Sequence, residues 1–161
     1  MLIIIGVLLI SFASFVLVRS FHCRYDKTLD EYEDLLLLLR YIRDKIANSS
    51  MHISNILSQN IELRSMSGTS FLKEARKDGL FKAFLKNEQK FNIDETIKIQ
   101  LRDYFRVIGS DLLVVEIDKL TRVLEAIEGK YKIMCDESAV KKKISSTVII
   151  CSALLIIIFI I

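Results

Sequence analysis

The 18 residues at each end of this chain carry no formal charge, and all of its 23 basic and 20 acidic residues lie between Arg19 and Lys143. A Lys, Arg or Asp at the centre of a bilayer costs roughly 2.5–3.5 kcal/mol on insertion scales. Two charge-free ends around a charged middle are therefore the pattern of a chain with both ends in lipid. At 1.5 Å per residue, Leu2 to Val18 makes about 25 Å of helix and Ile144 to Ile161 about 27 Å, the short end of what a bilayer needs. A cleaved secretory leader fits the first run poorly. No Lys or Arg precedes it, and the small-residue pattern around Ser11, Ala13 and Ser14 is weak. A lipid-anchor signal fits the last run poorly, because the polar spacer is missing.

The flanking charges predict an orientation. Arg19, Arg24 and Lys27 follow the first run, and Lys130, Lys132, Lys141, Lys142 and Lys143 precede the second. Positive flanks stay cytoplasmic. The expected organisation is a transmembrane helix at 1–18, a cytoplasmic domain at 19–143 and a transmembrane helix at 144–161, with both termini outside. Small residues in the spans (Gly6, Ala13, Ser14, Ser145, Ser152, Ala153) permit close helix approach but are common in any membrane helix. Lys141–Lys143 can also attract anionic lipid, roughly 1 kcal/mol per Lys near the surface.

The middle reads as an all-α bundle of about five to six helices. The missing proline favours long helices. From Thr28 to Ala47, Tyr32, Leu35, Leu39, Ile42 and Ile46 recur three, four, three and four residues apart, a seam for another helix. Thr28 with Glu31 resembles a capping box, which would place Glu31, Glu33 and Asp34 in a first turn, where carboxylates favour the helix dipole. Leu36, Leu37 and Leu38 widen the apolar girth. Shorter helices are expected over Met51–Leu63 and Phe71–Leu85, the latter broken at Asp78-Gly79, with Ser65–Ser70 as a loop. Asn92 to Ile108 is a further helix, stopped by Gly109. Ser110 or Asp111 is then placed to cap the last and longest helix. Along that helix Leu113, Ile117, Leu120, Leu124, Ile127, Tyr131 and Met134 repeat the seam. Gly129 is its weak point. The two seams predict an antiparallel pair that carries both spans to one end of the bundle.

Nothing in the sequence points to an enzyme, a cofactor or a metal. Phosphate-binding loops, dinucleotide fingerprints, HExxH and hydrolase elbows are missing. His22 and His52 have no ligand partners at useful spacing, and Cys23, Cys135 and Cys151 form no paired motif. A net charge of +3 is small for a nucleic-acid binder.

Three stretches resemble one family. They are LLLLLRYIRDKIANSSMHISNIL (35–57), IKIQLRDYFRVIGSD (97–111), and the long closing helix running into a terminal Ile/Leu-rich span. Together they resemble stage III sporulation protein AB of endospore-forming bacteria, with departures. His52-Ile53 stands where that family has Pro-Leu, Ile108-Gly109 replaces Leu-Gly, Asp111 sits one residue closer to the glycine, and Glu116 stands near a usual Gln. The resemblance implies a helical domain similar to the cytoplasmic domain of the inner-membrane platform protein of type II secretion and type IV pilus systems. It implies a structural or adaptor role in the complex joining mother cell and forespore. The protein would sit in the outer forespore membrane with its domain toward the mother-cell cytoplasm. Its expected partners are a secretion-type ATPase, other channel membrane proteins and membrane lipid, and self-association is open. The alternative is a two-span platform or adaptor of another secretion or pilus assembly.

Overall fold

The computed structural model describes residues 2–49, 51–109 and 112–160, with the side chains at 2–5, 8, 49, 159 and 160 outside that description. Among the described residues the chain is helical throughout, without strands. The elements are α1 (Leu2–Ser49), α2 (Ile53–Ser58), α3 (Met66–Asp78), α4 (Leu80–Asn87), a 3-10 turn (Glu88–Lys90), α5 (Glu95–Val107) and α6 (Leu113–Ile160). They divide into two compact units, one of residues 27–132 and one of residues 1–26 with 133–161.

Several expected boundaries move. No helix begins at Thr28, because α1 runs through it. Between Arg19 and Lys27 there is neither proline nor glycine, so nothing interrupts the hydrogen-bond ladder. The second helix is only Ile53–Ser58, since Gln59 turns to extended backbone (φ −71°, ψ 157°). The expected loop at Ser65–Ser70 is the start of α3. Ser65 is its N-cap and accepts from Gly68 N at 2.9 Å. Asp94 rather than Asn92 caps α5, accepting from Thr96 N at 2.9 Å. Gly129 does not interrupt α6. Ser110 and Asp111 lie outside the described residues.

Unit 27–132 is built on α1. Tyr32, Leu35, Leu39, Ile42 and Ile46 are all buried, as are Leu36 and Leu38, while Leu37 faces outward. Burying such a side chain contributes about 1.5–3 kcal/mol. From α6 come Leu120, Leu124 and Ile127, all buried. Ile117 is half-buried, and Leu113 is largely exposed. Phe71, Phe84, Phe91 and Phe105 form an aromatic cluster with ring centroids 5.4–6.1 Å apart. It locks α3, α4 and α5 together, each edge or offset contact adding roughly 0.5–1.5 kcal/mol. Arg40 pairs with Glu128 at 2.6 Å, and Tyr131 OH donates to Glu33 at 3.1 Å. Partners on α6 fall in number as those on α1 rise, so the two helices run antiparallel here.

In the unit of 1–26 and 133–161 the same antiparallel sense holds. His22 Nε2 lies 2.9 Å from Ser146 Oγ, and Asp26 pairs with Lys142. Among the described residues no helix is long and apolar enough to cross a membrane. Met1, Ile161 and the side chains at 2–5, 8, 159 and 160 fall within the two apolar runs but outside the description. The expectation of two spans is therefore carried by the sequence and not by this fold.

Candidate interaction surface

Three buried carboxylates organise the loops of unit 27–132. Asp34, on α1, accepts from Arg64 N at 2.8 Å, Ser65 N at 2.7 Å and Ser65 Oγ at 2.6 Å. Glu31, one turn earlier, accepts from Asn92 N at 2.6 Å and Ser67 Oγ at 2.8 Å. Glu116, on α6, accepts from Tyr104 OH at 3.1 Å and Gly109 N at 3.2 Å. All three are at most 4% exposed. A buried charge is tolerated only when it is hydrogen-bonded in this way. Burial, and then the neighbouring Glu116 carboxylate, push the Tyr104 hydroxyl far above its ordinary range. Burial likewise raises Tyr32, whose hydroxyl accepts from Asp94 N at 3.0 Å.

Their sequence reading as first-turn carboxylates does not hold for Glu31 and Asp34, because α1 has no N-terminus near them. Each acid stands four residues before a buried leucine: Glu31 before Leu35, Asp34 before Leu38, Glu116 before Leu120. That spacing puts them on the packed face. The sequence carries only a weak signal of this, since Glu33 stands in the same relation to the exposed Leu37.

The Glu116 contact ties Gly109, just after α5, to α6. Gly109 adopts φ +82°, where L side chains are strained. A Cβ there would also come within 3.3 Å of Ile53 Cδ1. Beside the turn is a groove of about 240 Å³ walled by Ile46, Met51, Ile53 and Leu113, with His52 and Glu116 at its edge. Next to it Leu112 and Val114 are 80% and 77% exposed, and Leu113 and Val115 are 42% and 43% exposed. This contiguous exposed apolar run is a candidate contact surface. A wider groove of about 670 Å³ contains Leu37, Tyr41 and Tyr131, but its Glu33 and Glu128 are already paired with Arg64 and Arg40. The run at 112–115 is the stronger candidate, and the sequence reading assigned only Leu113 of it, as part of a seam.

Of the expected topology residues, Arg19, Arg24 and Lys141–Lys143 lie in the other unit, whereas Lys27, Lys130 and Lys132 lie in unit 27–132. Arg19, Arg24, Lys141 and Lys143 are exposed, with Lys141 paired to Glu137 and the half-buried Lys142 to Asp26. Among the described residues no cluster of three or more His, Cys, Asp or Glu could hold a metal ion.

The turn at Gly109 and the long α6 belong to the segments that carry the family resemblance, and a comparison with family models decides it: residues 3–161 match the one described as Stage III sporulation protein AB (spore_III_AB). The chain belongs to that family. Neither the curated proteins nor the solved structures yield a match. The stage III sporulation protein AB family is one of sporulation proteins.

Proposed function

We propose that this protein is a membrane-anchored structural and adaptor component of the complex joining mother cell and forespore, without catalytic activity. The observation that carries the reading is the family match over residues 3–161. Residues 1–18 and 144–161 are its two spans, and residues 19–143 are its cytoplasmic domain in the outer forespore membrane, facing the mother cell. Besides the charge-free ends that support the spans, the hydroxyls of the apolar segments are compatible with them, as Thr121 shows the same bonding in the charged middle. Ser11, Ser14, Ser146, Thr147 and Ser152 each donate to the carbonyl four residues earlier in their own helix, at 2.7–2.9 Å. A hydroxyl satisfied within its helix avoids a desolvation cost of several kcal/mol in a waterless medium.

The domain docks a secretion-type ATPase through the apolar run Leu112–Val115 and the groove beside it. The support is an exposed apolar run in a charged domain, next to the family-like turn at Gly109. The test is capture of the ATPase by the full chain in detergent, wild type against Leu112→Glu and Val114→Glu. Both side chains are more than three-quarters exposed, so the fold is expected to survive and ATPase capture to be lost. Undiminished capture by the well-folded variants would place docking elsewhere. Deletion of the gene is expected to block late forespore gene expression, and normal sporulation without it would overturn the adaptor role itself.

A further inference from the structure

The geometry points to a binding site for one phospholipid class, phosphatidylethanolamine, between α1 and α6 in the unit of residues 1–26 and 133–161; the proposal rests on the membrane reading above. The groove there holds about 410 Å³, enough for a headgroup and the upper part of one chain. Its apolar end is Phe21, Ile144, Val148 and Ile149, and its polar end is Tyr25, Lys141 and Ser145.

The chemistry is graded along one stripe of α6. Glu137, Lys141, Ile144 and Val148 follow at intervals of four, three and four residues, so they share a face. Lys141 Nζ pairs with the Glu137 carboxylate, one turn and about 6 Å further from the apolar end. A phospholipid with its chain along Phe21 and Val148 brings its phosphate to Lys141 and its terminal amine to Glu137. The ammonium N–H groups donate to the carboxylate while the Lys141 ammonium donates to the phosphate, so the Lys–Glu pair exchanges for two pairs of the same kind. A headgroup without an amine leaves Glu137 beside unrelieved negative charge, and a choline has no N–H to donate. Tyr25 is an aromatic residue of the kind expected at headgroup level, with the apolar Phe21 one turn nearer the chains. Arg19 and Lys143 lie outside the groove lining and attract any anionic lipid through the general field, so headgroup identity is the discriminating variable.

The chain has no tryptophan, so an introduced one reports on a single place. Full-length Phe21→Trp is reconstituted in vesicles containing brominated-chain phosphatidylethanolamine, phosphatidylglycerol or phosphatidylcholine, and quenching gives relative association constants. The expected result is a preference of about fivefold for the ethanolamine lipid at Phe21→Trp. Glu137→Gln should abolish that preference. Phe12→Trp, on an exposed part of the same arm, should show none. Val148→Trp repeats the measurement from the opposite wall, should Phe21→Trp disturb the groove. The same order of quenching at positions 21 and 12, or a preference for phosphatidylglycerol at 21, overturns the site and leaves the membrane reading standing. No quenching at either position overturns both.

Discussion

Asp34 sits in the interior of a long helix and yet serves the start of a different one. It accepts from two backbone N–H groups and from the Ser65 hydroxyl, which in turn accepts from Gly68 N and caps α3. Asp34→Ala removes the acceptor of the buried Ser65 N–H and hydroxyl and of the part-buried Arg64 N–H, and a loss of about 3 kcal/mol is expected in denaturant unfolding of the full chain in detergent. Gly68 follows from the same contact. A Cβ there would lie 2.6 Å from Asp34 Oδ2 and 2.9 Å from Ser65 Oγ. Although Ala favours helix elsewhere, Gly68→Ala is therefore expected to destabilise, by roughly 1–3 kcal/mol. An unchanged or raised midpoint would mean that the carboxylate yields without cost, contrary to a clamp. Neither residue shows this role in sequence. An acid four residues before a leucine reads the same until another stretch of chain is brought against it.

At the scale of elements, α5 is held at its start by Asp94. The Thr96 hydroxyl, then the Thr96 N–H and the Lys130 ammonium, hold its carboxyl at about 2 against an ordinary 3.8. A carboxyl depressed on folding contributes stability that is complete above its unfolded value and is lost as pH falls through its folded one. The Asp94 contribution is therefore present from neutral pH down to about 4 and disappears toward pH 2. Asp94→Asn keeps a capping side chain, so the variant should be less stable than wild type near neutral pH and converge with it by pH 2. The difference is modest because the side chain is 37% exposed. Equal pH profiles would discount the Lys130 pairing. The seams make a stronger prediction. Leu39 and Leu120 are fully buried on α1 and α6, and an aspartate at either has no partner. Leu39→Asp and Leu120→Asp should each cost more than about 3 kcal/mol. Val114→Asp, on an exposed face of α6, should cost little, and similar melting of all three variants would count against the packing described for α1 and α6.

For the whole molecule the open question is orientation. Met66 is 91% exposed at the start of α3, whereas its neighbour Gly68 is buried. With Cys23, Cys135 and Cys151 replaced, Met66→Cys should react with an impermeant thiol reagent only after cells are permeabilised if, as proposed from the flanking Arg and Lys residues, residues 19–143 face the cytoplasm. Labelling in intact cells would reverse the orientation and remove the basis for docking a cytoplasmic ATPase.

The sequence by itself determined the helical class, the first seam, the middle of the second at Leu120, Leu124 and Ile127, and the separation of charge-free ends from a charged middle. Each is a periodicity or a composition, visible without knowing which segments meet. The short helix at Ile53–Ser58, the caps at Ser65 and Asp94, the burial of Glu31, Asp34 and Glu116, and the exposed run at Leu112–Val115 were decided by tertiary structure. The physical reason is common to them. Whether a polar group is capped or a leucine covered depends on a partner far away in the chain, and a local pattern does not record it. Thr28 shows the converse: its capping box is complete in sequence, but the helix already in progress from Leu2 leaves no free N–H groups there to cap.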